Sequence, residues 1–289
     1  MNEYINITEL LHSGGYIFSG LIIFTIGKLL FKLTHLKTNI QQELVDKDNF
    51  AFILSYVGYF TGVLITIGGC VVGESYGFWT DIQHIFIYGI LSIILLQISN
   101  FLGDKFILPN FHIKKEIIDD KNEGTGIITA VIYIANGLIL YGALLGESNG
   151  IVEGITTFVI YWLLGNVMLI IASKIYGLWI NYNIHDEIEK DNVAAGVAFA
   201  GAILALGIII MNALIEPFFD WTTTLIGVSV QMIVGSVLLP IMRFFADNIL
   251  LPGQKLTDEI VNQEKPNLGA GLIEAFAYVG SAVLIAWCV

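Results

Sequence analysis

The chain has 289 residues and a formal net charge of −12, with hydrophobic residues at 56% and charged residues at only 13%. A mean hydropathy of +0.77 lies far from that of soluble domains. It excludes a water-solvated helical bundle, because most helices of such a bundle need a polar face.

In chain order, eight long apolar segments follow at 13–35, 50–73, 82–103, 124–146, 151–177, 192–214, 222–245 and 267–289. Each comes close to the ~20 residues that a helix needs to cross ~30 Å of hydrocarbon. They are rich in Leu, Ile, Val and Gly and lack the alternation of barrel strands, so all eight are predicted as transmembrane helices. The first has Glu3 and Glu9 before it and Lys28 and Lys32 towards its end. That is the charge order of an anchor with its N-terminus outside, not of a cleaved signal peptide.

All 13 basic residues fall at alternate connections: Lys28, Lys32, Lys37 and Lys47, then Lys105, Lys114, Lys115 and Lys121, then Lys174 and Lys190, then Arg243, Lys255 and Lys265. The opposite side carries only acids: Glu3, Glu9, Glu74, Asp81, Glu147, Glu153, Glu216 and Asp220. The positive-inside rule makes the basic face cytoplasmic and leaves both termini outside. The acidity is thus divided across a membrane, and no nucleic-acid partner is expected. Trp79, Trp221 and Trp287 fall at outer span ends and Trp179 at an inner one, as interfacial belt residues do. Trp162 falls in mid-span and is expected between helices.

The sequence repeats itself. "NEGTGIITA" at 122–130 and "NLGAGLIEA" at 267–275 share one frame, as do "KDNFAF" at 47–52 and "KDNVAA" at 190–195, and "NFLGDKFILP" at 100–109 and "RFFADNILLP" at 243–252. The predicted fold is an all-α integral membrane protein of eight transmembrane helices, arranged as two parallel, pseudo-symmetric four-helix repeats at 1–147 and 148–289. A fainter repeat matches "DEIEKDNVAAG" at 186–196 with "DEIVNQEKPNLGAG" at 258–271. The elementary unit is therefore a helix hairpin, and an even number of crossings gives all four hairpins one orientation.

Four asparagines, Asn49, Asn122, Asn192 and Asn267, open the second helix of each hairpin. Asparagine is a preferred N-cap, and the small residues that follow (Ala194, Ala195, Gly196; Gly269, Ala270, Gly271) let backbones approach closely. The same helix starts can also hold an anion.

Glu274 is the one carboxylate deep in a predicted span, and an intramembrane acid is a functional candidate by default. Its counterpart in the first repeat is Thr129, and that of Arg243 is Asn100. Two neutral positions have become an anion and a cation, read as a structural ion pair or as part of an ion or proton path. Gln97, Asn100, Asn136, Asn166, Asn212 and Gln231 also fall within spans. They serve interhelical hydrogen bonding or, if they face one cavity, a polar pathway. Lys28 and Lys174 are expected to snorkel, and Pro240 to kink its helix. The loops "HLKTNIQQELVDKDN" and "FHIKKEIIDDKNEG" mix apolar residues at helical spacing with charges of both signs, fit for the membrane surface or a cytosolic partner.

The five histidines and two cysteines show no metal-ligand spacing, and no phosphate-binding loop or hydrolase motif occurs. No catalytic residue, metal or cofactor is expected, and Cys70 and Cys288 are assigned to packing rather than to a bridge.

The Asn-x-Ala/Gly-Ala-Gly helix start, with "LLPG" at 250–253 before "DEI" and a second Asn, resembles the DUF350 family of bacterial inner-membrane proteins, which includes the YjfL-like proteins. The second repeat matches best, over about 150–289; the first has "ILPN" at 107–110 in place of "LLPG". The resemblance implies a bacterial inner-membrane location and a link to envelope stress, and it transfers no catalytic residue. Two functions remain open: ion or small-solute permeation, and a scaffold or envelope-stress sensor acting through the cytoplasmic loops. The expected partners are the lipid bilayer, a cytosolic protein at the loops, and further copies of the chain in a homo-oligomer.

Overall fold

The computed structural model describes residues 7–73, 75–109, 112–145, 150–215, 220–251 and 253–288. Glu3, Glu74, Glu147 and Glu216 of the acidic side, Asn110 of "ILPN" and Pro252 of "LLPG" lie outside the described residues. Eight helices are long and apolar enough to cross a membrane. They are α1 (Ile7–Thr34), α2 (Phe50–Val72), α3 (Phe78–Phe106), α5 (Glu123–Leu144), α6 (Ile151–Trp179), α8 (Val193–Ile215), α9 (Trp221–Phe245) and α11 (Leu268–Cys288). Three short helices, α4 (Ile113–Ile118), α7 (Ile184–Glu189) and α10 (Leu256–Val261), lie in the basic loops. In the first loop a single π-turn, Gln42–Asp46, takes that place. α3 continues past its predicted end at 103, which brings Asp104 into the span. Pro240 lies inside α9, and the helix runs on beyond it to Phe245.

The helices form two rows. The second helices of the hairpins stand side by side in the order α2, α5, α8, α11, and the first helices, α1, α3, α6 and α9, make the other row. Each of α3, α6 and α9 lies against two neighbouring members of the inner row. Tyr16 of α1 donates a 2.7 Å hydrogen bond to Asp81 of α3, so these two helices start at the same, acidic end.

Small residues set the inner row. Lipid supplies no hydrophobic drive between spans, so close backbone packing must replace it. A β-carbon added at Gly58 would collide with the backbone of Ala130, and one at Gly126 would lie 2.6 Å from the Ala51 carbonyl oxygen. The contact between the two repeats is built the same way. A β-carbon at Gly196 would lie 2.7 Å from the Gly124 Cα, and one at Gly207 would lie 2.7 Å from the Ala135 Cβ. In consequence 194–203 of α8 is buried without a break.

A second device stitches the row together at its basic end. Each opening asparagine caps its own helix, and the first three each reach two other partners. Asn49 Oδ1 accepts from the Phe52 amide at 3.2 Å, while Nδ2 donates to Glu43 Oε2 at 3.0 Å and to the Ile117 carbonyl of the next hairpin at 2.9 Å. Asn122 does the same with Thr125, Glu116 and Ile188, and Asn192 with Ala195, Glu187 and Ile260. Asn267 keeps its cap on Ala270 and its bond to Glu259 but is exposed. The residues before the first three asparagines, Asp48, Lys121 and Asp191, all have positive φ (45°, 53° and 62°), the left-handed turn that points each cap inward.

Gly58→Ala is expected to lower the stability of the detergent-solubilised protein by about 1–3 kcal/mol through overpacking. Gly280→Ala, on α11 with nothing within 4 Å of an added β-carbon, should be neutral or stabilising by up to about 1 kcal/mol. Thermal unfolding of the two variants checks the contrast.

Candidate functional site

At the basic end of each repeat, a first helix faces a second helix across a polar seam. In the first repeat these are α3 and α5; in the second, α9 and α11. On α3 the seam carries Asp104, Asn100 and Gln97, and on α5 it carries Thr129, Tyr133 and Asn136, both sets at helical spacing on one face. The second-repeat equivalents are Asp247, Arg243 and Pro240 on one side and Glu274, Tyr278 and Ser281 on the other.

The second-repeat site is filled. Glu274 is 0% exposed; its Oε1 accepts the Tyr278 hydroxyl at 2.6 Å and the Tyr176 hydroxyl at 3.3 Å. Arg243 Nε stands 3.2 Å from the same oxygen, a coulombic contact not aligned as a hydrogen bond. The guanidinium also donates to Thr257 Oγ1 at 3.0 Å and lies 5.8 Å from the centre of the Tyr182 ring. Asp247 is occupied as well, accepting the Leu256 amide at 2.7 Å. The void beside this pair, lined by Pro240, Arg243 and Tyr278 among others, measures about 10 Å³.

The first-repeat site is open. A cavity of about 440 Å³ is walled by Asn100 and Asp104 of α3 and by Thr129 and Tyr133 of α5, and reaches out to Lys37 and Lys114 in the basic loops. Asn100 Oδ1, Asp104 Oδ1 and Thr129 Oγ1 are buried and have no hydrogen-bond partner among the described residues. Thr129 is only 2% exposed. Deeper in the seam, Gln97 accepts the Tyr133 hydroxyl at 3.5 Å, while its Nε2 and the Asn136 Oδ1 are without partners among the described residues. Gln97 lies seven residues beyond Asp104 in α3, or ~10 Å deeper at 1.5 Å per residue. His35 lines the outer cavity; burial and the nearby Lys114 charge hold its imidazole below its ordinary pKa, against the opposing pull of its bond to the Phe31 carbonyl.

Other candidates are placed elsewhere. Asn166 donates back to the Trp162 carbonyl at 2.9 Å within α6, as the seam residue Asn136 does through its Nδ2 to the Ile132 carbonyl, also at 2.9 Å. Asn212 is half-buried in α8, and Gln231 is buried in α9. Trp162 sits between α3 and α6, its indole donating to Ser99 at 2.7 Å. Lys28 and Lys174 are exposed, and both cysteines are free. Among the described residues there is no group of three or more potential metal-ligating side chains.

Sequence reasoning passed over Asp104, which sits one residue outside the predicted span. It also missed the latch acids Glu43, Glu116, Glu187 and Glu259, although each stands a few residues before its asparagine in the text of the sequence. The two kinds of latch differ electrostatically. Burial opposes ionisation of Glu43 and Glu187, but the neighbouring lysine and asparagine outweigh it and hold both below their ordinary values. At Glu116, burial and then Asp120 prevail, and the carboxyl sits above its ordinary value.

Fold and seams together define a multi-pass membrane protein made of two copies of a four-helix unit. The chain belongs to the DUF350 family (Domain of Unknown Function), whose profile matches it twice, at residues 4–144 and again at 150–289. It is similar to a UPF0719 transmembrane protein of Aquifex aeolicus (strain VF5), at 24% identity over 253 residues, covering 86% of this chain and 89% of that one. No solved structure matches.

A double-mutant cycle separates the buried pair from its surroundings. Arg243→Gln or Glu274→Gln alone is expected to cost about 3–5 kcal/mol by leaving one charge uncompensated, and the double variant much less. Folded yield and thermal unfolding measure it; three variants indistinguishable from wild type would remove the pair from the structural account.

Proposed function

We propose that the protein passes a small solute or ion across the bacterial inner membrane, with the basic face in the cytoplasm and both termini outside. The first repeat supplies the access route and the second, its seam closed by Arg243 and Glu274, the static half. The observation that carries this reading is the cavity lined by Asp104, Asn100 and Thr129, each with one buried oxygen that lacks a partner among the described residues, and the unpartnered Gln97 Nε2 and Asn136 Oδ1 further along the same seam. Buried polar groups at membrane depth are costly unless water or a solute meets them, and irregular polarity there is tolerated where it lines a cavity. Beyond the seam, α3 and α5 carry the buried Ile93, Leu96, Ile139 and Leu140, which gives an inward-open, outward-closed state. Transport then requires α3 to shift against α5.

The scaffold or stress-sensor reading draws less support. The loop helices it needs are bonded to the membrane helices through Asn49, Asn122 and Asn192, which leaves them little freedom to recruit a partner.

Flux into liposomes, scanned across monovalent ions and small organic solutes at several pH values, tests the proposal. Wild type should show a saturable flux that Gln97→Leu reduces by at least about tenfold at unchanged folded yield. The absence of flux for every solute tried would overturn it.

A further inference from the structure

The duplication supplies an internal reference for what the open cavity holds. At the second-repeat seam a guanidinium, that of Arg243, fills the site and is met by oxygen acceptors, Glu274 Oε1 and Thr257 Oγ1. In the first repeat, Asn100 replaces the arginine, so the guanidinium is missing, while the seam keeps oxygen acceptors without donors. Asn100, Asp104 and Thr129 all line the cavity, and their Oδ1, Oδ1 and Oγ1 atoms are buried at its wall without partners among the described residues. Asp247 in the second repeat accepts a 2.7 Å hydrogen bond from the Leu256 amide. Its counterpart Asp104 receives only the Asn100 side-chain amide, at a long 3.3 Å, and makes no ion pair among the described residues.

We infer that the first-repeat cavity binds a small organic cation with N–H donors, a guanidinium or a primary ammonium, seated on Asp104, Asn100 and Thr129. Residues carrying carboxylate, amide and hydroxyl oxygens line one space; the complement of such oxygens is a planar or compact donor with positive charge. A bare alkali cation satisfies the charge but not the directional acceptors, and a quaternary ammonium has no donor to offer. The cavity of about 440 Å³ admits such a head group with an aliphatic tail or accompanying water. Lys37 and Lys114 at the outer rim are exposed. Their charge is screened by solvent over ~8 Å at physiological salt, whereas the half-buried Asp104 is screened much less. The rim therefore slows entry at low ionic strength and does not set affinity.

This inference rests on the cavity being the solute site proposed above, and calorimetry on the detergent-purified full chain tests it separately from flux. The probes are guanidinium chloride and methylammonium chloride at low millimolar concentration, against tetramethylammonium and sodium chloride at matched ionic strength. Saturable binding of the first two and none of the last two is expected. Asp104→Asn should weaken guanidinium at least about tenfold, as loss of a charged hydrogen-bond partner does. Asn100→Arg, which supplies the head group from the chain itself as Arg243 does, should abolish binding while leaving the unfolding temperature unchanged or higher, so that lost binding is not mistaken for lost fold. Equal heats for all four salts, or guanidinium binding that survives both substitutions, would overturn it. Binding as expected without any liposome flux would sink the permeation proposal and leave this one. Flux indifferent to guanidinium and to Asp104 would do the reverse.

Discussion

The architecture depends on one side chain used four times, the asparagine that opens each inner helix. A helix start leaves backbone N–H groups without partners, and at the edge of hydrocarbon such groups are expensive to leave so. The asparagine oxygen answers one of them. Its amide then does two further things at once, holding its own loop through a glutamate and the next hairpin through a backbone carbonyl 66–68 residues away. Hairpins are thus joined in series by bonds that leave no polar atom of the cap unused, and the glycine contacts deeper in the membrane fall into register beneath them. The exposed Asn267 keeps the cap and the glutamate bond alone.

On that scaffold the two repeats have taken different courses with the same seam. In the second, a charge pair, two tyrosine hydroxyls on Glu274 Oε1 and a loop amide on Asp247 occupy the seam, and the void beside the pair is small. In the first, Thr129 and Asn100 carry no charge, Asp104 has lost its capping partner, and a cavity remains. The side chains opposite one another keep their positions; what differs is whether the protein fills the seam itself. The arrangement suits a protein in which one half supplies rigidity and the other a place for something to bind.

Much of this was legible in the sequence because lipid imposes a strict code. Eight apolar runs, basic residues at alternate loops and a repeated Asn-x-Gly/Ala frame determine the spans and the parallel duplication with little ambiguity. The pairing of Arg243 with Glu274 was readable because both depart from their counterparts at the same inner end. The order of the inner row was not, since the glycines that set it, Gly58, Gly126, Gly196 and Gly271, do not announce which neighbour they face. Asp104 was missed for a physical reason. Hydropathy closes a span at its first charge, whereas the α3 backbone runs on to Phe106 and turns that carboxylate towards the cavity. Asn166 showed that a polar residue in a span can be spoken for by its own helix, a distinction that composition does not carry.

The serial row is tested most directly by spin-label distances among Phe50, Glu123, Val193 and Leu268, the first residue after each capping asparagine, measured by pulsed electron resonance in nanodiscs. With neighbouring axes roughly 8–10 Å apart at most, the separation from position 50 should lengthen stepwise to 123, 193 and 268. A distance from 50 to 268 as short as that from 50 to 123 would mean a closed ring of inner helices and would contradict the account.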